Sequence, residues 1–347
     1  MKRLWQTMSH RNLILLGLAS LVAGTVFAQT PPVSSEIATE VKPSVKQNNR
    51  WLMICCGLPG DDEHRERLTS ACEQLVSASE STLGVSADRL KILVGDDKMQ
   101  TALQSSASEI GVCTKETIQQ TVQTLCDSVE PNDSCWIMIL GHAHLYGNRS
   151  QFNIQGSDID QTMFAKMLKP LSCREQVVWV TTPVSGFWIK PLSQKNRVIV
   201  SATEPDLEFT GTEMPYALGD LLVGEGEEAE LSDVDGDGKL SLLDLYLATN
   251  LEIHGRFVSM ERLQTEHSQL DDNADGRGSE VQEPYLPEPE EEPEEEEDDD
   301  EVSEEKDEST AESEETPPET KPLPVLITNA NVDGFLSRHI YINPPKQ

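Results

Sequence analysis

One short stretch of this chain alternates acidic side chains with small residues, and it is the clearest candidate for chemistry. Asp233, Asp235 and Asp237 stand two positions apart, and Gly238 and Asp244 follow them. A glycine in a tight turn lets the backbone curl, so that alternate side chains point toward one centre. Carboxylate and carbonyl oxygens are the ligands that hard divalent cations prefer. The stretch therefore predicts a cation site.

The order of residues matches the calcium loop of EF-hands, with Leu240 as the apolar anchor at the eighth position. The predicted calcium ligands are Asp233, Asp235, Asp237, the Lys239 carbonyl, Ser241 and Asp244. Asp244 replaces the usual glutamate at the twelfth position, and its shorter side chain is less able to bind through both oxygens. We therefore expect weaker calcium binding and less preference over magnesium. The alternative, a solvated Asp/Gly turn, is disfavoured by the anchor and by the helical pattern that follows.

A second stretch repeats the first half of this pattern, with candidate ligands at Asp271, Asn273 and Asp275. Gly276 follows, as the turn requires, but the match then fails. Gly278 occupies the anchor position and Gln282 the twelfth position. EF-hand loops usually occur in pairs, which favours a site, but the residues leave two interpretations open. One is a partial metal site, and the other is a capped turn.

Two apolar runs that end in polar residues form a different candidate site. Residues 135–140 precede Gly141 and His142, and residues 177–181 precede a turn that contains Ser185. Apolar runs of this length alternate with amphipathic stretches, which predicts an α/β fold with a mostly parallel sheet flanked by helices. Ligands bind beyond the carboxyl ends of the strands in such sheets. Both runs therefore end where a site is expected.

The apolar runs predict five strands, at residues 52–56, 90–94, 135–140, 177–181 and 197–201. Apolar residues at helical spacing predict two helices, with Leu68, Cys72 and Leu75 after Asp61, and Ile118, Val122 and Leu125 after Thr114. A third helix is predicted to start with Ser157 and Asp160 as a capping-box-like pair, and its apolar stripe is Ile159, Met163 and Met167. After residue 204 the alternation stops. A helix over 213–223 and a long helical stretch over 245–269 are predicted there.

The two strand ends resemble those of the caspase/legumain clan of cysteine peptidases, over roughly residues 50–222. In that clan one strand ends in a catalytic His followed by Gly, and the next ends in a small-x-Cys-x-Ser-Gly turn. The resemblance places His142 on the catalytic His, with Ala143 in place of the usual Gly. It places Ser185 and Gly186 on the Ser-Gly pair, and Pro183 where the nucleophilic Cys belongs.

Proline has no nucleophilic atom, so the cysteine chemistry implied by the resemblance is not expected. His142 and Ser185 are then vestigial or binding residues. The rival hypothesis is an active hydrolase or peptidase that uses His142 with Ser185 or Thr182 as the nucleophile. We favour the inactive domain. The resemblance implies that members of the clan have this Ser in addition to the nucleophilic Cys, so the presence of Ser185 does not indicate a new role as a nucleophile.

The first 28 residues have the pattern of a secretory signal peptide. Lys2, Arg3 and Arg11 are basic, residues 13–27 are uncharged and mostly apolar, and small residues precede a cleavage site before Gln29. The alternative is an uncleaved membrane anchor, which the run's length disfavours, because a spanning helix needs about 20 apolar residues. We expect an exported protein, periplasmic or extracellular, without a membrane association after cleavage.

The chain has 27 basic and 61 acidic residues, a formal charge of -34, which argues against nucleic acid as a partner. Residues 283–320 hold 21 of the acidic residues and a single lysine, with too few apolar residues to form a core. This run is predicted to be a disordered, solubilising region; a cation buffer or spacer is the alternative. Seven cysteines with no C-x-x-C pair are expected mainly as small buried residues, although export makes disulfides possible.

The predicted regions are a signal peptide at 1–28, a linker at 29–49, an α/β domain at 50–222, an EF-hand-like segment at 223–282, the acidic region at 283–320 and a tail at 321–347. The tail turns apolar again, and it is either a strand that packs on the domain or a docking segment. Together these features predict an exported calcium-binding pseudoenzyme, which acts as a binding or scaffolding module for an unknown protein or peptide partner.

Overall fold

A seven-stranded sheet organises the structure, a computed structural model that describes residues 49–107, 109–206, 208–287 and 324–343. The strands in chain order are β1 Arg50–Cys56, β2 Leu90–Val94, β3 Ile110–Val112, β4 Ser134–Leu140, β5 Ala143–Tyr146, β6 Arg149–Phe152, β7 Ile159–Asp160, β8 Glu175–Val180, β9 Arg197–Ser201 and β10 Gln269–Asp271. The main sheet has the order β10-β9-β8-β4-β1-β2-β3, and β5, β6 and β7 form a small separate sheet.

Helices cover both faces of the main sheet. The α-helices are α1 Asp62–Ser81, α2 Asp97–Leu103, α3 Lys115–Ser128, α4 Gln161–Leu168, α5 Ile189–Leu192, α6 Met214–Val223 and α7 Leu242–Ser259. Short 3-10 turns lie at Ala87–Arg89, Ser185–Trp188, Glu283–Tyr285 and Ser337–His339. Six strands of the main sheet run parallel, and only β10 pairs antiparallel, with β9. The predicted α/β class is therefore confirmed.

The sequence of β4 explains why the sheet needs cover on both faces. All seven residues of Ser134–Leu140 are buried. Trp136 and Met138 pack into the core under α1, α6 and α7, whereas Ile137 and Ile139 pack into the core under α3, α4 and α5. Successive side chains of a strand point to opposite faces. A continuous apolar run therefore marks a strand that is buried twice.

The five predicted strands correspond to β1, β2, β4, β8 and β9, with bounds that agree within two residues. Helices α1 and α3 start after Asp61 and Thr114, as predicted, and each of these two residues accepts a hydrogen bond from a backbone N–H of the first turn. The predicted helix over 213–223 is α6. These agreements share a cause, because caps and apolar periodicity are local properties of the chain.

The start of α4 differs from the prediction. Asp160 is the N-cap, and its side chain accepts a hydrogen bond from the Met163 N–H, so Ser157 lies outside the helix. The buried face is Gln161, Phe164 and Leu168, whereas Met163 and Met167 are only half-buried. The predicted stripe was wrong because it counted Ile159, which belongs to strand β7.

The prediction of a long helix over 245–269 was also wrong at the C-terminal end. Helix α7 ends at Ser259, and Glu261 adopts a left-handed conformation with φ of 52°. The chain then forms β10, whose Leu270 pairs with Val200 of β9. Pairing with the sheet edge overrides the helical pattern of these residues. The segment 223–282 thus adds a strand to the sheet of the α/β domain.

The C-terminal tail packs on the domain. Ile340 and Ile342 are buried, and Tyr341 forms an antiparallel bridge with Ser241. Between the two alternatives for the tail, residues 324–343 follow the first, although they form a bridge and a 3-10 turn and not a full strand. All seven cysteines lie in the described residues; six are buried and Cys126 is half-buried.

The predicted signal peptide, nearly all of the linker and most of the acidic region lie outside the described residues. Within the described part of the chain, no helix is both long and apolar enough to cross a membrane.

Candidate functional site

The first Asp/Gly loop brings its three alternating carboxylates together. One side-chain oxygen each of Asp233, Asp235 and Asp237 lies within 4.8 Å of the other two. The backbone curls around Asp233, which accepts hydrogen bonds from the N–H groups of Asp237 at 3.0 Å and Gly238 at 2.7 Å. Gly238 has a φ of 82°, which a residue with a side chain rarely adopts. The glycine therefore makes the convergence of the carboxylates possible.

Asp244 closes the loop from the first turn of α7. It is fully buried, and its Oδ1 accepts hydrogen bonds from the N–H groups of Val234 at 2.9 Å and Asp235 at 3.2 Å. Its Oδ2 accepts from Ser241, whose N–H and hydroxyl lie 2.8 and 2.7 Å away. Burial raises the pKa of Asp244, and these hydrogen bonds oppose the increase. The predicted first and last ligand positions thus both accept hydrogen bonds from backbone N–H groups of the same loop.

The charge of this loop is only partly balanced. Arg338 from the tail places its Nε 3.1 Å from Asp235 Oδ2 and 3.0 Å from Asp237 Oδ2. The contact with Asp235 is an ion pair but lacks hydrogen-bond geometry, and this buried oxygen accepts no hydrogen bond. Burial and the nearby Asp244 raise the pKa of Asp235 to about 6, although Arg338 acts in the opposite direction. A buried carboxylate oxygen without a hydrogen bond fits a cation ligand.

The remaining predicted ligands lie where the tail meets the loop. The Lys239 ammonium donates to the hydroxyl of Tyr341 at 3.0 Å, which leaves only its carbonyl as a candidate ligand. The Ser241 hydroxyl is engaged with Asp244 and caps α7. The Ile342 N–H donates to the carbonyl of Leu240 at 3.0 Å, so the predicted apolar anchor pairs with the tail.

The second loop forms a turn of the same kind at its start. Asp271 is fully buried, and its Oδ1 accepts a hydrogen bond from the Ala274 N–H at 3.1 Å. Asn273 Oδ1 accepts from the Asp275 N–H at 2.8 Å, and Asp275 Oδ1 accepts from the N–H of residue 277 at 2.8 Å. Gln282, at the twelfth position, instead donates to the Ser268 carbonyl at 3.0 Å. The three candidate ligands therefore share one loop, and Gln282 bonds elsewhere.

His142 stands directly after β4, where Gly141 turns the chain with a φ of 117°. Its Nε2 lies 2.9 Å from the carbonyl of Pro59, and a carbonyl can only accept, so this nitrogen carries the proton. The ring of His64 meets it edge-on, with centroids 4.8 Å apart. The Nδ1 of His64 in turn lies 2.8 Å from Asp61 Oδ1.

Both histidines line a cavity of about 380 Å³. On another wall, Arg67 stacks over the ring of Tyr216 at 3.7 Å and pairs with Glu213 at 2.8 Å. The cavity thus combines imidazole rings, an aromatic face and a paired guanidinium. These groups suit the binding of a small polar or peptide-like ligand.

The turn after β8 is separate from this cavity. Residues 181–186 are all buried. Ser185 accepts a hydrogen bond from the Thr203 N–H at 3.0 Å, and its Oγ lies 3.2 Å from the Thr203 hydroxyl. The Thr182 hydroxyl is buried without a hydrogen-bond partner. Among the described residues that line the cavity, neither Ser185 nor Thr182 occurs. The structure therefore brings no predicted nucleophile to the cavity that holds His142.

The turn also carries backbone strain. Val184 follows Pro183 and has a φ of 49°, which is unfavourable for a β-branched residue. Its N–H donates to the carbonyl of Glu208 at 3.1 Å, so it is already engaged. The proline before it has no N–H. These two positions consequently offer no free backbone donor for an oxyanion.

Comparison with known proteins gives little help with the function. No family model and no curated protein matches the chain. Among solved structures, it is similar to caspase-1 from Spodoptera frugiperda, at 12% identity and a TM-score of 0.40. The similarity covers 65% of this chain and 89% of that one. A TM-score of 0.40 is too low to assign a family, and the α/β class rests on the sheet itself.

The sequence analysis missed Arg338 at the first loop, and it missed His64, Arg67, Glu213 and Tyr216 at the cavity. Arg338 lies 101 positions from Asp237, and no local pattern connects them. The sequence contains a weak indication for His64. This residue stands three positions after Asp61, the N-cap of α1, and side chains at these two positions can contact each other.

Proposed function

We propose that the protein is an exported calcium-binding protein whose α/β domain serves as a binding module and not as a catalyst. The observation that carries the proposal is the group of three carboxylates within 4.8 Å at Asp233, Asp235 and Asp237. Calcium takes six to eight oxygen ligands, and the three converging carboxylates supply part of such a set; the Lys239 carbonyl and the Ser241 hydroxyl are the proposed further ligands. Bound calcium supplies two positive charges that relieve the repulsion among these groups.

The expected affinity is modest. The loop lacks a glutamate at its last position, and Arg338 already pairs with two of the carboxylates. Calcium loops of extracellular modules bind with dissociation constants of roughly 10⁻⁴ to 10⁻³ M. An affinity in this range suits an exported protein, because the ion is abundant outside cells.

Calorimetric titration with calcium tests the proposal. Wild-type protein is expected to show a saturable site, and Asp235→Ala is expected to lose it. Glu73→Gln is the matched control, because Glu73 is exposed on α1, outside the loop, and its replacement removes one negative charge. The acidic run contributes a weak, non-saturating background in all variants. An unchanged titration for Asp235→Ala would exclude the loop as the site.

The inactive character of the α/β domain is part of the proposal. It is supported by Pro183 at the expected nucleophile position and by the buried Ser185, which is bonded to Thr203. The rival hydrolase hypothesis requires Ser185 or Thr182 to reach His142. Peptide cleavage that is abolished by Ser185→Ala and is insensitive to alkylation would favour the rival.

Export has its own test. The pattern of residues 1–28 leads us to expect that the mature protein begins at Gln29. N-terminal sequencing of the protein recovered from outside the cytoplasm measures this directly. An intact N-terminal Met1 on that protein would refute the proposed cleavage.

A further inference from the structure

The second loop receives a carboxylate from a distant part of the chain. Asp333 lies in the tail, yet its Oδ1 accepts hydrogen bonds from the N–H groups of Asp272 at 3.0 Å and Asn273 at 3.3 Å. Its Oδ2 accepts a hydrogen bond from the hydroxyl of Ser279. Asp333 is nearly fully buried. Asp272, Asn273 and Ser279 lie 61, 60 and 54 positions from Asp333 in the sequence.

This arrangement repeats the one around Asp244 in the first loop. Asp244 Oδ1 accepts from the N–H groups of Val234 and Asp235, which are the second and third positions of that loop. Its Oδ2 accepts from the hydroxyl of Ser241, the ninth position. Counted from Asp271, the partners of Asp333 are likewise the second, third and ninth positions. Asp333 therefore holds the place in the second loop that Asp244 holds in the first.

An independent observation points to a ligand at this loop. Asp271 is fully buried, and its Oδ2 makes no hydrogen bond of normal geometry. The hydroxyl of Ser193 lies close enough to lower the pKa of Asp271, but it too is buried without a bond of normal geometry. A buried carboxylate oxygen left without a partner is destabilising. The other oxygen of Asp271 bonds to the Ala274 N–H within the loop, so the carboxylate faces the loop.

The carboxylates here repel one another. Asp271 and Asp333 are both buried, and Asp275 belongs to the same loop, so their negative charges lie in one region with little solvent to screen them. Among the described residues, no Lys or Arg forms an ion pair with Asp271, Asp275 or Asp333, in contrast to Arg338 at the first loop. A bound cation would neutralise this group of charges.

We propose that the second loop is a calcium site split across the chain, in which Asp271, Asn273 and Asp275 supply the first ligands and Asp333 supplies the final carboxylate from the tail. The site goes beyond the proposed function, because it does not depend on calcium in the first loop. Oxygen ligands and a carboxylate-rich set select a hard cation such as calcium or magnesium.

The split site gives calcium a mechanical role. Asp271 precedes the acidic run in the chain and Asp333 follows it, so an ion bound to both holds the two ends of that run together. The same tail also pairs with the first loop, where the Leu242 N–H donates to the Ile340 carbonyl at 2.8 Å. Calcium is therefore expected to fasten the tail to the domain at the second loop, where Asp333 is the proposed tail ligand.

The test combines calcium stoichiometry with proteolysis of the tail, on the full chain. Wild-type protein is expected to bind two calcium ions, and Asp333→Asn one. An asparagine still accepts the bonds from the Asp272 and Asn273 N–H groups, so the tail keeps its packing. Asp275→Asn, at an exposed position, is the second variant, with an expected loss of at least tenfold in affinity at one site. Calcium is expected to protect the tail from protease in wild type and less in both variants.

This experiment distinguishes a failure of the proposed calcium site in the first loop from a failure of the split site in the second loop. Asp235→Ala removes the first-loop site and leaves the second, so an ion that survives Asp235→Ala but not Asp333→Asn supports the split site alone. The split site is overturned if Asp333→Asn and Asp275→Asn both bind calcium with wild-type stoichiometry and affinity. It is also overturned if wild type binds one ion and neither variant changes that binding.

Discussion

The guanidinium Nε of Arg338 donates a hydrogen bond to Asp237 Oδ2 over 3.0 Å, although the two residues are 101 positions apart. The same nitrogen pairs with Asp235, so one positive charge from the tail lies against two candidate calcium ligands. A fixed positive charge at this position competes with a metal ion for the same oxygens. The contact therefore couples calcium binding to the docking of the tail.

Replacement of this arginine tests the competition. Arg338→Met keeps an unbranched apolar side chain but removes the charge. We expect calcium to bind the first loop at least about fivefold more tightly, since even exposed ion pairs contribute up to about 1 kcal/mol and this pair is largely buried. Without calcium, the variant is expected to melt at a lower temperature than wild type, because no positive charge then offsets the repulsion between Asp235 and Asp237. Calorimetry and thermal unfolding in a chelator measure the two effects, and weaker calcium binding would contradict the competition.

The twelfth position of the first loop offers a second test. Asp244→Glu lengthens the side chain, which allows both oxygens to reach an ion. Asp244 is fully buried and accepts four hydrogen bonds, so the added methylene disturbs the packing of the calcium-free loop. Overpacking of this kind costs about 1–3 kcal/mol. We expect tighter calcium binding together with a lower melting temperature in a chelator; a variant that binds calcium more weakly would refute the predicted role of this position.

Glu266 predicts a dependence of stability on pH. It is buried and accepts hydrogen bonds from the N–H groups of Glu213 and Met214, at the start of α6. Burial raises its pKa to about 8, despite these two bonds. Between about pH 5 and pH 8 the unfolded protein has lost this proton and the folded protein retains it, so the free energy of unfolding falls as pH rises.

Glu266→Gln removes this proton linkage. Gln keeps one acceptor oxygen for the two N–H groups, so we expect it to be less stable than wild type by about 1 kcal/mol at pH 5. The difference in the free energy of unfolding between wild type and Glu266→Gln is expected to shrink or reverse by pH 8, because wild type loses stability as pH rises and the variant does not. Urea unfolding at several pH values measures it, with Glu73→Gln as the control. Parallel pH profiles for wild type and Glu266→Gln would show that Glu266 is not the titrating group.

The α/β domain is expected to be inert toward thiol-directed peptidase inhibitors. Six of the seven cysteines are buried, and none lies in the turn of residues 181–186. Burial raises the pKa of Cys126, the half-buried one, which further reduces its reactivity. We expect alkylation of the native protein to label Cys126 at most and to change no activity. Mass spectrometry of the labelled protein checks this, and peptidase activity that alkylation abolishes would overturn it.

The sequence by itself determined the features that depend on neighbouring residues. The strands β1, β2, β4, β8 and β9 were predicted because apolar runs indicate burial on both faces. The starts of α1 and α3, after Asp61 and Thr114, were predicted because a helix start depends on residues within one turn. The first loop was predicted for the same reason: its ligands lie within twelve residues, so their convergence follows from local backbone turns. The early end of α7 was missed because pairing of β10 with β9 decides it.

Only the tertiary structure decided what completes each site. The second loop appeared to end at Gln282, but that side chain bonds to Ser268, and Asp333 takes the final position across 61 residues from Asp272. Arg338 reaches the first loop in the same way, and the burial of Ser185 separates it from His142. The physical reason is that these contacts join segments far apart in the chain. No spacing or periodicity in the sequence records them, because the folded core alone brings the segments together.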